Sequence, residues 1–171
     1  MLWPRKVRQQ SEGALLFAAA VLTAAPQAVA APQDCGINLG APAVMDAVRS
    51  LAPYPDSVGP AWAWSTESQY FEGNYDPCAT LSTALVTVQG ATASSPITAL
   101  MFHNGRYLGT ATSKAYGFTT LDTDRTTDDT VVLDYKTPGE CNACAPAALN
   151  SVRYHWQGNH VAMLDPAPPS F

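Results

Sequence analysis

The sequence predicts an α+β fold: a twisted antiparallel sheet of five to six strands, one N-terminal helix packed on it, and two disulfide staples. Three observations predict it. An amphipathic segment bounded by prolines stands ahead of a series of short β-rich runs, the order of a helix laid on a sheet rather than of βαβ units. Asn104-Gly105 separates two of those runs, and this pair is the strongest short-range hairpin signal. All four cysteines lie beyond an export signal, where thiols are normally oxidised.

The first thirty residues carry that signal. Arg5, Lys6 and Arg8 form a basic start, Gly13 to Ala25 an apolar stretch, and Ala28-Val29-Ala30 the small-x-small pattern after which a signal peptidase cuts. The apolar run is shorter than the roughly 20 residues a helix needs to span a bilayer, so no transmembrane segment is expected once it is removed. The expected organisation is a signal peptide over 1–30, a short leader over 31–34, a single domain over 35–166 and a frayed tail over 167–171. The 141 residues left after cleavage suffice for one domain with its own core.

Pro42 to Leu51 reads as the helix: proline suits its first turn, Val44, Val48 and Leu51 share one face, and Pro53 and Pro55 stop it. Ala61 to Glu72 carries Trp62, Trp64, Tyr70 and Phe71 and reads as a strand with both indoles on one side. After the turn Asn74-Tyr75-Asp76-Pro77, the segment Cys78 to Ala84 opens with a short helical turn. Leu85 to Gln89 is a β-rich run, and Pro96 to His103 with Arg106 to Thr110 forms the hairpin. Thr130 to Lys136 and Val152 to Trp156 alternate apolar with polar residues, and Gln157-Gly158-Asn159 turns the latter into Val161 to Leu164.

Loss of the signal removes three of nine basic residues and one of fourteen acidic ones, leaving a net charge of −7. No basic cluster survives, which argues against nucleic acid or an anionic lipid surface as partner. Cys35, Cys78, Cys141 and Cys144 permit three pairings. Chain entropy favours Cys35 with Cys78, which would contribute roughly 4 kcal/mol, and Cys141 with Cys144, about 2 kcal/mol.

Several residues invite a chemical reading. Cys141-Asn142-Ala143-Cys144 has the spacing of a thiol oxidoreductase, yet Pro138-Gly139-Glu140 precede it between two strands where such a motif would open a helix, so a loop staple is expected. The same pair is half of a zinc site without its other half. Asp122, Asp124, Asp128 and Asp129 suggest calcium but lack the glycine and terminal glutamate of an EF-hand, and read as a solvated acidic loop. His103, His155 and His160 could form a metal site, but they lie beside turns, as surface histidines do, and that plainer reading is expected. Trp62, Trp64, Tyr70 and Tyr75 could line a groove for sugar or lipid, with core packing the plainer alternative. Ser94-Ser95-Pro96 reads as a turn, and no Gly-x-Ser-x-Gly elbow or Ser-x-x-Lys set is present. No catalytic residue, cofactor or metal is therefore expected.

The runs Asn74-Tyr75-Asp76-Pro77-Cys78-Ala79, Gly90-Ala91-Thr92-Ala93-Ser94-Ser95-Pro96, Phe102-His103-Asn104-Gly105-Arg106-Tyr107-Leu108-Gly109-Thr110-Ala111, Asp128-Asp129-Thr130-Val131-Val132 and Met163-Leu164-Asp165-Pro166 follow one another in a set order. In that order and spacing the chain resembles the actinobacterial LppP/LprE lipoprotein family over about residues 35 to 166. The resemblance implies an exported, envelope-associated protein of a high-GC Gram-positive bacterium and brings no catalytic residues with it. Members are typically anchored by a lipid on a cysteine directly behind a Leu-small-small box. Here Cys35 follows Pro32-Gln33-Asp34, so a protein without a lipid anchor is expected. The functional expectation is a non-enzymatic secreted or envelope protein that binds an envelope ligand or another protein through one sheet face. The alternative is an extracytoplasmic thiol oxidoreductase using Cys141 and Cys144.

Overall fold

A computed structural model describes residues 34–56, 59–141 and 144–168. They fall in one compact unit, Pro32–Phe171, with strand pairing that is antiparallel throughout.

Helix α1 spans Pro42–Ser50, one residue short of the expected end. Proline at its first turn needs no N–H partner, Arg49 complements the C-terminal end of the helix, and the Leu51 N–H closes the last turn on the Val48 carbonyl at 3.1 Å. Val44, Ala47 and Val48 are buried at spacings of three and four along one face.

The strands divide into two sheets of four rather than one of five or six. β1 (Glu72–Gly73), β2 (Ser82–Thr87), β3 (Ile97–His103) and β4 (Arg106–Thr110) form the first, in that order. β5 (Thr119–Leu121), β6 (Thr130–Thr137), β7 (Ala148–Trp156) and β8 (Val161–Met163) form the second. The reason for the split is local. Ala111 still donates to the Ala99 carbonyl, but residues 112–115 leave the ladder, and Tyr116 rejoins it opposite Ile97 through two backbone hydrogen bonds of 3.0 and 3.1 Å. Phe118 then takes a positive φ of 56°, and the chain continues into β5 of the other sheet. An alternating pattern says that one strand face is buried but not which strand lies beside it, so the two arrangements read alike in sequence.

The central strands β2 and β3 are buried on both faces. Ala84, Val86, Leu100 and Phe102 pack with Tyr75 and Phe71 beneath α1. Leu81, Leu85, Ala99 and Met101 pack with Val131, Leu133, Tyr135, Val152 and Tyr154. The result is three layers, helix on sheet on sheet. In the second core the hydroxyls of Tyr135 and Tyr154 meet at 2.8 Å, and burial pushes the Tyr135 hydroxyl up to about 12 and that of Tyr154 up as well.

The hairpin β3–β4 turns where expected, with Asn104 at φ 46° and Gly105 at φ 75°, the two positive angles of a type I′ turn. β6 and β7 pair over eight positions, Thr130 opposite His155 through Thr137 opposite Ala148. The expected strand Ala61 to Glu72 is absent. That segment holds two isolated bridges, Tyr54 with Trp62 and Trp64 with Val88, a 3-10 turn Ser68–Tyr70, and only then β1. Likewise Cys78 to Ala84 opens with an Asp76-centred turn, whose carboxylate accepts the Cys78 N–H at 2.8 Å, and passes into β2 at Ser82. Near the C-terminus Pro168 is buried and its carbonyl accepts the Tyr116 hydroxyl; residues 169–171 and the proposed signal and leader up to 33 lie outside the described residues.

Both favoured disulfides are present, Cys35–Cys78 and Cys141–Cys144, with Cα separations of 5.4 and 5.1 Å. No helix among the described residues is long and apolar enough to cross a membrane.

Candidate functional site

A nine-residue helix is about 13.5 Å long and cannot cover a whole sheet face. Beyond its C-terminal end, where Thr98 of β3 and Thr110 of β4 continue that face, a groove of about 540 Å³ opens. One wall is the chain leaving the helix, Leu51 to Pro55, with Trp64. The opposite wall is the detour of residues 112–115 together with Tyr116 and Gly117.

Each wall is held in place by identifiable contacts. The Trp64 indole N–H donates to the Ala52 carbonyl at 2.8 Å, its backbone bridges Val88, and Tyr54 packs edge-on against its ring at 6.0 Å and 79°. On the other side the Thr110 hydroxyl donates to the Thr112 carbonyl at 2.8 Å and the Thr112 hydroxyl to the Lys114 carbonyl at 2.7 Å, which shapes the detour. Gly117 is required by close approach: a Cβ there would lie 2.9 Å from the Ser94 carbonyl oxygen. Ser94 and Ser95 form the expected turn, with the Ser95 N–H on the Thr92 carbonyl.

The floor holds an unusual group. Thr98 is only 5% exposed, yet its hydroxyl makes no hydrogen bond among the described residues. Every fully occluded side-chain oxygen or nitrogen there does have a partner, so this hydroxyl keeps some accessible surface, and Thr98 lines the groove. Buried polar groups are nearly always satisfied, and one left open toward a cavity is poised to bond whatever enters.

The residues singled out in sequence disperse. Of the four aromatics, Trp64 alone lines the groove; Tyr75 is in the core, Trp62 is exposed with its indole N–H on Asp56 at 3.0 Å, and Tyr70 is exposed on the 3-10 turn. Tyr54 and Thr98, which sequence reasoning missed, take their place. A Tyr-Pro pair just past a helix was the one hint of the first.

The histidines do not gather. His103 stacks on Trp156 with centroids 3.8 Å apart and bonds the Thr80 carbonyl through Nδ1, His155 meets the Thr130 hydroxyl at 2.9 Å, and His160 meets Asn159. Three of the four acidic residues are engaged by protein groups: Arg125 holds the Asp122 carboxyl below the usual range, the hydroxyls of Thr127 and Thr130 lower that of Asp129, and Asp128 accepts the Thr80 N–H. Among the described residues one cluster has metal-ligand spacing, Cys35, Asp76 and Cys78, but its two sulfurs are bonded to each other. Cys141 and Cys144 close the exposed connection between β6 and β7.

A second cleft of about 450 Å³ lies between the edges of the two sheets, bordered by Met101 and Leu108 on one side and Trp156, Val161 and Met163 on the other. It is poorer in hydroxyls than the groove.

Comparison with known proteins places the chain. The lipoprotein LprE of Mycobacterium leprae is 35% identical over 144 residues, covering 83% of this chain and 66% of that protein. The LprE lipoproteins of Mycobacterium bovis and Mycobacterium tuberculosis are each 38% identical over 131 residues, covering 76% of this chain and 58% of theirs. The chain thus spans about 58–66% of the length of these relatives. No solved structure matches it. The family model described as LppP/LprE lipoprotein matches residues 73–159, from the last residue of β1 to the turn before β8, and with these relatives it shows that the chain belongs to the LppP/LprE lipoprotein family.

Proposed function

We propose that this chain is an exported, non-catalytic binding module of the cell envelope, and that its binding site is the groove at the uncovered end of the first sheet. The observation that carries this is Thr98, a groove-lining residue only 5% exposed whose hydroxyl makes no hydrogen bond among the described residues. A volume of about 540 Å³ is that of a small-ligand site, and such sites combine apolar walls with a few placed polar groups. Among the described residues the groove lining brings hydroxyls, one lysine and aromatic rings, without histidine, cysteine or carboxylate.

The envelope setting rests on the signal-like N-terminus, the paired cysteines and the lipoprotein relatives. Cys35 spends its sulfur on Cys78, which leaves none for a thioether to lipid and supports the reading of an unanchored domain.

The test is a comparison of thermal unfolding with and without the dialysable, aqueous fraction of mycobacterial envelope. Ala52 is exposed on the groove wall, and Ala52→Trp fills the groove while its backbone carbonyl still holds Trp64. Ligand in excess is expected to raise the Tm of the wild-type domain by at least about 2 °C, the effect of roughly 1 kcal/mol of linkage, and to leave the filled variant unmoved. Equal shifts in both proteins, or none in either, would sink the proposal.

A further inference from the structure

We infer that the ligand of this groove is a saccharide, an inference that rests on the groove being a binding site. The lining decides the chemical class by elimination. A purely apolar ligand would strip water from the hydroxyls of Thr98, Ser94 and Ser113 and return no hydrogen bonds, and unpaired buried polar groups are costly. A phosphate-rich or multiply charged ligand would find a single basic side chain, Lys114, in an acidic protein. A peptide strand seeks an open sheet edge, whereas the ladder beside Ile97 is already taken by Tyr116.

A sugar ring meets every requirement that is left. Its hydroxyls donate and accept at once, so they can donate to the Thr110 and Thr112 oxygens, whose protons are already given to carbonyls, and also accept from Thr98, while its axial C–H faces are apolar and pack on aromatic rings. Trp64 and Tyr54 supply that platform, and it is rigid in advance: the indole is fixed by the Ala52 carbonyl and by the edge contact with Tyr54. Rings ordered before binding lose little freedom on binding. Thr98 lies on the floor between the walls, where its hydroxyl can bond a ring hydroxyl lowered onto the sheet.

The structure assigns opposite consequences to a single substitution. Thr98→Val keeps the shape and removes only the hydroxyl, so the folded domain is expected to be as stable as the wild type or more so, while saccharide affinity falls about 5- to 10-fold, the worth of one neutral hydrogen bond. Thr98→Ser keeps the hydroxyl and is expected to hold affinity within about twofold. A residue of merely structural importance would lose stability and binding together.

The experiment is a titration of the ¹⁵N-labelled domain, followed through the Trp64 indole N–H and the Thr98 amide. The probes are neutral trisaccharides built on glucose, mannose, galactose, arabinose and N-acetylglucosamine, with decanoate and trialanine as the competing classes. At least one trisaccharide is expected to shift both signals, and Thr98→Val to weaken it as stated. If all the sugars are silent while decanoate or trialanine moves these signals, the ligand class is wrong and the groove remains a binding site. If no probe of any class moves them, the saccharide inference and the binding proposal fall together. Sugar-induced shifts confined to the second cleft overturn the placement.

Discussion

Asp165, just beyond β8, is gripped three times by one residue: the Arg153 backbone N–H, Nε and guanidinium Nη2 donate to its two carboxylate oxygens at 2.8, 2.9 and 2.8 Å. The Arg153 side chain and backbone bonds hold the Asp165 carboxyl down to about 2, well below the usual value. A carboxylate more acidic in the fold than in the unfolded chain stabilises the fold above its unfolded value near 4, and that stability is lost as pH falls through about 2. Asp165→Asn is therefore expected to lower the Tm by a constant amount from pH 7 down to about 4. Below that the gap to the wild type should narrow, and it should close beneath about 2. Thermal unfolding of both proteins across that range checks it; a gap that widens toward acid would contradict the assignment.

Among the elements, the β3–β4 hairpin depends on backbone angles at two adjacent residues. Gly105 at φ 75° occupies a conformation that a Cβ disfavours, so Gly105→Ala is expected to cost at least about 1 kcal/mol, read as a lower urea midpoint at unchanged slope. This turn was legible because its signal is contained in two neighbouring residues. Helix α1 was legible for a similar reason, since Pro42, the spacing of Val44 and Val48, and Pro53 all lie within about three turns. The segment Ala61 to Glu72 was misread because its aromatic spacing matched a strand, while its partners, Tyr54 behind and Val88 ahead, allow only single bridges. β5, three residues long, carries too little pattern to register at all. The groove was missed for a different cause: its lining comes from stretches around residues 51–55, 64, 94–98 and 110–117, brought together only by folding.

The described domain is one helix layer over two sheet layers, and its two disulfides constrain it unequally. Cys35–Cys78 spans 43 positions and Cys141–Cys144 only three. Replacing Cys35 and Cys78 with alanine is expected to cost roughly 4 kcal/mol, replacing Cys141 and Cys144 about 2 kcal/mol, since the longer loop restricts the unfolded chain more. Chemical denaturation of the two double variants measures both, and a ranking in the reverse order would refute chain entropy as the cause. The division into two sheets was not legible at this scale, because nothing in residues 112–118 announces that the chain leaves one ladder and returns to it before crossing over. The family, by contrast, could be read from short turn and strand motifs whose order survives whichever sheet each strand joins.

The link from Cys35 to Cys78 also decides how the domain meets mechanical load. Tension applied at the amino-terminal end passes through a covalent bond straight to the residues that precede β2, bypassing α1, the groove wall and β1. The bypassed stretch of 43 positions would otherwise pay out up to roughly 150 Å of contour length, at about 3.5 Å per residue. Under oxidising conditions that slack stays locked away, and the groove wall formed by Leu51 to Pro55 and Trp64 is spared the pull.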